Sequence, residues 1–222
     1  MSRLPPSEDG SIIHQFTTGL QLAEDGVWQA AISSKVSYPD DGNVACAEIE
    51  DGSFWFRCRN QVIAAAVKRY PPPGLPVFDL GGGNGYVSLG LTAAGFDTVL
   101  VEPGRAGAMS GVRRGVQRVI SATVETAGFR PGTLPAAGLF DVLEHVEDHL
   151  GFLRTIRTAL RPDGRLYLTV PAFQWLWSNE DEHAGHFRRY TVSTLRSVLA
   201  SAGFGIEYLS YFFWRSPRRC SR

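Results

Sequence analysis

The chain has 222 residues, 44% hydrophobic and 20% charged, with 22 basic side chains balancing 22 acidic ones. That composition fits one globular α/β domain with a short appendage, large enough to bury roughly 70% of its unfolded surface without staples. It argues against a strongly basic nucleic-acid binder. The balance is uneven. Residues 1–53 hold nine acids against two bases, a net of −7, and residues 54–222 carry +7. Lys35 and Lys68 are the sole lysines, so the positive charge is almost all arginine. Cys46, Cys58 and Cys220 lack metal-ligand spacing, which argues against a disulfide framework and for a reducing cytoplasm. The opening residues have no signal pattern, and no apolar run reaches the ~18 residues of a membrane span.

Three regions are expected: an acidic appendage over 1–53, a catalytic-type domain over 54–213 and a basic tail over 214–222. In the first, Ser11–Phe16 and Val27–Ile32 read as short strands or helices, and Tyr38–Asn43 reads as a turn cluster. Phe54–Tyr70 has helical spacing and stops at Pro71-Pro-Pro-Gly74. Val77–Leu80 is a short apolar strand entering a glycine cluster. Tyr86–Ala94 is helical and ends at Gly95. A strand at Thr98–Val101 leads to Glu102. A helix over about 104–114 precedes a strand at Gln117–Ile120. Leu134–Phe140 is another strand, and Asp148–Leu160 a helix ending at Arg161-Pro-Asp-Gly164. A strand at Arg165–Val170 is followed by a long loop to Tyr190. Thr191 caps a helix to Ala202, Gly203 stops it, and Phe204–Phe213 reads as a last strand. Strands alternating with helices predict a doubly wound, mostly parallel sheet with helices on both faces. Ligands of such sheets sit beyond the carboxyl ends of the strands.

The strongest motif is Val77-Phe-Asp-Leu-Gly-Gly-Gly-Asn-Gly-Tyr86, at a strand-to-helix turn. Glycines there permit positive φ and close ligand approach, and the next helix offers free N–H groups. A dinucleotide fingerprint fits imperfectly, with Tyr86 or Ser88 where a third glycine belongs. Asp79 ahead of Gly81, Gly83 and Gly85 fits a second pattern, in which the carboxylate suits a cationic ligand. Glu102, ending the next strand, is placed to accept hydrogen bonds from two ribose hydroxyls.

Over about residues 54–213 these features resemble class I S-adenosylmethionine-dependent methyltransferases. Val77–Tyr86 resembles their first motif and Glu102 their ribose acid. Leu139-Phe-Asp-Val-Leu-Glu-His-Val146 resembles their fourth-strand motif, and Arg161–Leu168 their turn into the fifth strand. Ser53–Arg57 and Gly185–Tyr190 resemble a subgroup with Ser-Phe-Trp-Phe-Arg and Gly-His-x-Arg-Arg-Tyr segments. The resemblance implies S-adenosylmethionine as cofactor and a Rossmann-like sheet. Gly81, Gly82, Gly83, Asn84 and Gly85 would pass under the methionine part, near Asp79. Glu102 would hold the ribose beside Pro103, and Thr123, Val124 and Glu125 would line the adenine end. Phe140 and Asp141 would sit near the sulfonium, and Arg57 or Arg59 would reach the cofactor carboxylate. Pro135 stands where the family often has aspartate. The family's seventh strand is either lacking here or replaced by an N-terminal segment.

Methyl transfer from a sulfonium needs orientation above all, and a base where the acceptor must lose a proton. His145 and His186 are the candidate bases. Asp141, Glu144 and His145 share one face if helical, and with His183 or His186 could form an oxygen/nitrogen metal site. That set resembles the metal site of small-RNA 2′-O-methyltransferases, with aspartate for the first glutamate. Asp141 fits the strand end better, so no metal is expected. Arg188 and Arg189 suit an acidic acceptor or the cofactor carboxylate, although a salt bridge to Glu180–Glu182 is the favoured reading. Phe173, Trp175, Leu176 and Trp177 suggest an apolar or aromatic acceptor. The expectation is methylation of a small molecule, oxygen favoured, with no nucleic acid or membrane span and with monomer and homodimer both open. The alternatives are a nicotinamide-dependent oxidoreductase and a cofactor-binding module without catalysis.

Overall fold

The computed structural model describes residues 12–31, 50 and 52–212. One sheet of seven strands has the order β1-β2-β5-β4-β3-β6-β7. Its strands are β1 (Leu20–Leu22), β2 (Trp28–Ala30), β3 (Val77–Leu80), β4 (Thr98–Val101), β5 (Val119–Ser121), β6 (Leu134–Phe140) and β7 (Leu160–Thr169). All pairings are parallel except β1 with β2. The helices that cover the sheet and its following loop include α1 (Phe54–Arg69), α2 (Tyr86–Ala93), α3 (Arg105–Arg114), α4 (His149–Ala159), α5 (Asn179–His183) and α6 (Val192–Ser201).

β3, β4 and β6 are buried at every position, as strands covered on both faces must be. Alternation of side chains sorts the cover. Val77 and Phe140 pack with Ile63 and Val67 of α1 and Val87 and Leu91 of α2. Leu100 packs with Ala108 of α3. On the other face Phe78, Leu80, Val99 and Val101 join Leu153 and Ile156 of α4 and Leu195, Val198 and Leu199 of α6. The fold is therefore the expected Rossmann-like, doubly wound architecture. From β3 the chain steps outward through β4 to β5, then returns to the other side of β3 as β6. That reversal opens a crevice at the carboxyl ends of β3 and β6.

Two elements differ from expectation. Part of the acidic segment joins the sheet: β1 and β2 form a hairpin, and β2 pairs with β5. The N-terminal strands thus extend the edge opposite β7. Phe204–Phe213 is not the expected strand, since residues 204–212 contain none. Gly203 turns the chain at φ +86°, and Phe204, Ile206 and Leu209 then pack on the core by side chains rather than by a ladder on β7. An Arg165–Glu207 ion pair of 2.6 Å fastens the segment. Phe213, the 214–222 tail and the Tyr38–Asn43 turn lie outside the described residues.

Candidate functional site

β3 delivers Asp79 and the glycine turn to the crevice. Gly81, Gly83 and Gly85 have φ of +71°, +54° and +76°, where a side chain would be strained. Gly82 is required for space: a Cβ there would lie 2.6 Å from the Asp79 carboxylate and 2.6 Å from Leu100. Gly85 is the N-cap of α2, so the turn presents that helix's first amides. Asn84 is buried beside them.

Asp79 is fully buried. Its Oδ2 accepts from the Ser88 hydroxyl at 2.7 Å, while Oδ1 has no partner among the described residues. Burial pushes its pKa up to about 6, against the pull of Ser88 and of the Arg59 charge. Ser88 stands where a dinucleotide site would have glycine, and its hydroxyl is committed to Asp79.

Glu102 follows β4 and is 6% exposed. It accepts from Gly83 N–H at 2.9 Å and from Gly104 N–H at 2.7 Å. One carboxylate thus ties the glycine turn to the start of α3, and its remaining lone pairs can still accept from hydroxyls. Pro103 is half-buried next to it. Thr123 lies just past β5, its hydroxyl closing a turn with the Thr126 N–H at 3.2 Å. Val124 is buried in the main core.

On the β6 side, Phe140 packs under α1 and α2. Asp141 has φ +59° and accepts from the Thr169 hydroxyl at 2.8 Å. Arg59 reaches it from α1 at 2.7 Å, with its guanidinium over the Trp55 ring. The expected cofactor-carboxylate ligand is therefore engaged by a carboxylate of the protein.

Asp141 stands at the strand end, the favoured reading, with a left-handed backbone, and Leu143–His145 is a 3-10 turn rather than a helix that would set Asp141, Glu144 and His145 on one face. Glu144 is 1% exposed. Burial, then the nearby Asp141 charge, raises its pKa well above the usual range. Burial and the facing His186 push the His145 pKa down to about 4. The two imidazoles meet edge to face at 4.6 Å. The loop that brings His186 is clipped to this turn by Phe187 N–H donating to the Glu144 carbonyl at 2.8 Å. His183 is not part of the His–Glu cluster.

Behind His186 stands Asp181, a member of the Glu180–Glu182 run expected to pair with the arginines but not foreseen as the anchor of the loop. Its carboxylate takes His186 Nδ1 at 2.8 Å, two Arg189 N–H groups at 2.7 Å each and the Ser178 amide at 2.9 Å. Burial alone would raise its pKa; Arg189 and His186 hold it well below the usual carboxylate range. The Arg189 salt bridge is thus the favoured one, and Asp181 is the acid that receives it. The Ser178-x-x-Asp181 spacing, a helix-capping signature, was the available signal.

A cavity of about 1100 Å³ adjoins these groups, with Asp141, Glu144, His186, Trp55, Phe173 and Trp175 in its lining.

A methyltransferase-domain family model matches residues 55–209. No curated protein matches the chain by sequence. Among solved structures, a possible histamine N-methyltransferase from Thermotoga maritima is 22% identical, covering 74% of this chain and 80% of its own, with a TM-score of 0.58. The 1,6-didemethyltoxoflavin-N1-methyltransferase of Burkholderia thailandensis, solved with its substrate and S-adenosylhomocysteine, is 19% identical over 77% of this chain and 81% of its own, at 0.53. Phosphoethanolamine N-methyltransferase 2 of Haemonchus contortus, solved with S-adenosylmethionine, is 20% identical over 78% of this chain and 45% of its own, at 0.57. With the acid-led glycine turn, the Glu102 tie and a family match spanning α1 to the last packed segment, the chain belongs to the methyltransferase-domain family of class I, S-adenosylmethionine-dependent enzymes.

Proposed function

We propose that the enzyme methylates an oxygen of a small, largely apolar acceptor in the reducing cytoplasm. The carrying observation is the cavity, whose lining joins the aromatic rings of Trp55, Phe173 and Trp175 to the Glu144 and His186 side chains. Apolar walls with a few convergent polar groups suit a small molecule held in one orientation.

The residues at the glycine turn fit the cofactor. A Cβ at Gly82 would fill the space beside Asp79, and the unpartnered Asp79 Oδ1 suits a cationic group such as an ammonium. Asp79 and the backbone turn Gly81–Gly85 would cradle the methionine end, and Glu102 would hold the ribose hydroxyls. Bound there, S-adenosylmethionine supplies a methyl group on a sulfonium, a leaving group that needs no protonation. The protein's tasks are then to orient the acceptor, exclude water and promote loss of the acceptor proton. Aromatic rings and the Arg59–Asp141 pair shape the pocket. His145 and His186 promote loss of that proton, with Asp181 fixing the His186 ring. That pairing favours oxygen over an uncharged amine, which attacks without prior deprotonation.

Labelled S-adenosylmethionine and a panel of phenols, aliphatic alcohols and amines test the proposal. Label in hydroxyl acceptors, with a loss of at least about 100-fold in His186→Ala, is expected for a residue that promotes loss of the acceptor proton. Label in amines alone would overturn it.

A further inference from the structure

Glu144, His145 and His186 make a cluster whose composition exceeds what a single proton transfer requires. Each offers one ligand atom, and the three atoms lie within 4.8 Å of one another. The set differs from the one foreseen in the sequence: Asp141 is taken up by Arg59 and Thr169, and His183 is elsewhere.

Two features prepare these side chains for a cation. Both rings are held from outside the cluster. His186 Nδ1 is on Asp181, and His145 has a backbone hydrogen bond with Ala184. With Nδ1 committed, His186 has Nε2 left for the cluster. A carboxylate behind a ligand histidine fixes its tautomer and ring plane and raises its basicity. Asp181 is itself immobilised by the Arg189 fork.

The second feature is Glu144. It is 1% exposed, and neither carboxylate oxygen has a hydrogen-bond partner by geometry among the described residues. Buried carboxyl oxygens are nearly always satisfied, and beyond a contact with the Glu144 amide itself no hydrogen-bond donor among the described residues serves these two acceptors beside two imidazoles. A cation would satisfy them both. Glu144 and His186 also line the cavity, which leaves coordination positions open towards an acceptor.

We propose that Glu144, His145 and His186 bind one divalent transition-metal cation beside the acceptor cavity. Two imidazoles and one carboxylate select the manganese-to-zinc series over magnesium or calcium, which prefer oxygen alone. The binding site stands on its own; its part in catalysis rests on the oxygen-methylation reading. There the cation takes the acceptor hydroxyl as a ligand and lowers its pKa, and the proton leaves to solvent. The oxygen forms its bond to the methyl carbon as the carbon–sulfur bond breaks, the electron pair remaining on sulfur. The two histidines then act as ligands and not as free bases.

Cobalt(II) titrated into the chelator-treated full chain is the test. One equivalent should bind with visible ligand-field absorbance, and magnesium at the same concentration should not displace it. Glu144→Gln and His186→Gln should each weaken binding by at least about 10-fold, and Asp181→Asn by about 10- to 100-fold, as loss of an outer-shell partner does. Circular dichroism and S-adenosylhomocysteine calorimetry report whether each variant is folded, and His186→Gln sits on a partly exposed loop if the buried Glu144 change is not tolerated. Absence of cobalt binding, or binding unchanged in folded Glu144→Gln and His186→Gln, overturns the site. Cobalt binding without methylation of any hydroxyl overturns the oxygen reading and leaves the site standing. Hydroxyl methylation by a chain that binds no cobalt does the reverse.

Discussion

Arg59 Nη2 and Asp141 Oδ2 lie 2.7 Å apart and join the middle of α1 to the residue that follows β6. The guanidinium is 6% exposed and the carboxylate 33%, so this is a pair at the rim of the core. Removing one partner leaves the other poorly solvated. Arg59→Met is therefore expected to cost about 3 kcal/mol, near the low end for a half-broken buried pair. The double variant Arg59→Met/Asp141→Asn should recover part of it. Urea unfolding of the four proteins of this cycle checks the coupling, and additive single costs would show that the pair does not stabilise the fold.

Glu102 has one role shown and one proposed. It already holds the amides of Gly83 and Gly104, and the ribose role adds acceptor bonds from the same oxygens. Glu102→Ala should weaken S-adenosylhomocysteine binding by about 1.5–3 kcal/mol, the range for bonds to a charged group. Glu102→Gln keeps one acceptor oxygen and should fall between. Calorimetry measures both, and unchanged affinity removes Glu102 from the ribose role.

The Asp79 carboxyl gives a pH dependence of defined sign. Its pKa rises from 3.8 to about 6 on folding, chiefly through burial. A raised folded pKa means the contribution to stability is complete below 3.8 and lost as pH climbs through about 6. The loss amounts to about 3 kcal/mol at most, at about 1.4 kcal/mol per pKa unit. Urea melts between pH 4 and 7 should show this falling component, and Asp79→Asn should flatten it. Cofactor binding should run the other way, tightening as Asp79 ionises, because a cationic partner favours the carboxylate.

The parts legible in the sequence were those governed by local rules. The buried runs of β3, β4 and β6 and the acid-led glycine turn carry their own signals, so Asp79, Gly81–Gly85 and Glu102 met in one crevice as expected. What escaped depends on partners far along the chain. β1 spans Leu20–Leu22 and forms only against β2, whose own partner β5 lies some 90 residues on. Conversely, Phe204, Ile206 and Leu209 carry a strand-like pattern, yet their burial comes from side-chain packing with no ladder. Asp141 has strand neighbours on one side and helix-like spacing on the other, and its positive φ, visible only in three dimensions, divides the two.

Asp181 is the anchor of the loop over residues 178–190. It caps α5, orients His186 and takes both N–H groups of the Arg189 fork. Asp181→Asn keeps the size but leaves Arg189 without its charge partner in a mostly buried place. About 3 kcal/mol should be lost, as for other broken buried pairs. The folded pKa is depressed, so this contribution is present above the unfolded value of 3.8 and lost as pH falls below it. Hydrogen exchange of residues 178–190 should rise in the variant while β3 and β4 stay protected. A uniform rise across the sheet would mean that Asp181 stabilises the whole domain and not the loop.

The uneven charge of the chain has a structural counterpart in α3. Two acids of the −7 segment pair with its two ends: Asp25 with Arg105, and Glu50 with Arg114 at 2.6 Å. Arg105 directly follows the Gly104 amide that Glu102 holds, and Arg114 lies over the Tyr86 ring at the start of α2, so the acidic segment is fastened to the helix that follows Glu102. The pairs differ in exposure. Asp25 and Arg105 are 31% and 45% exposed, and such pairs contribute about 0–1 kcal/mol, less in high salt. Glu50 and Arg114 are 9% and 16% exposed, and breaking that pair strands a poorly solvated arginine. Glu50→Gln should therefore destabilise the protein several-fold more than Asp25→Asn. Raising the salt should erase the Asp25 effect and leave most of the Glu50 effect. Urea unfolding at low and high ionic strength decides it, because equal, fully salt-sensitive losses would place both pairs in solvent.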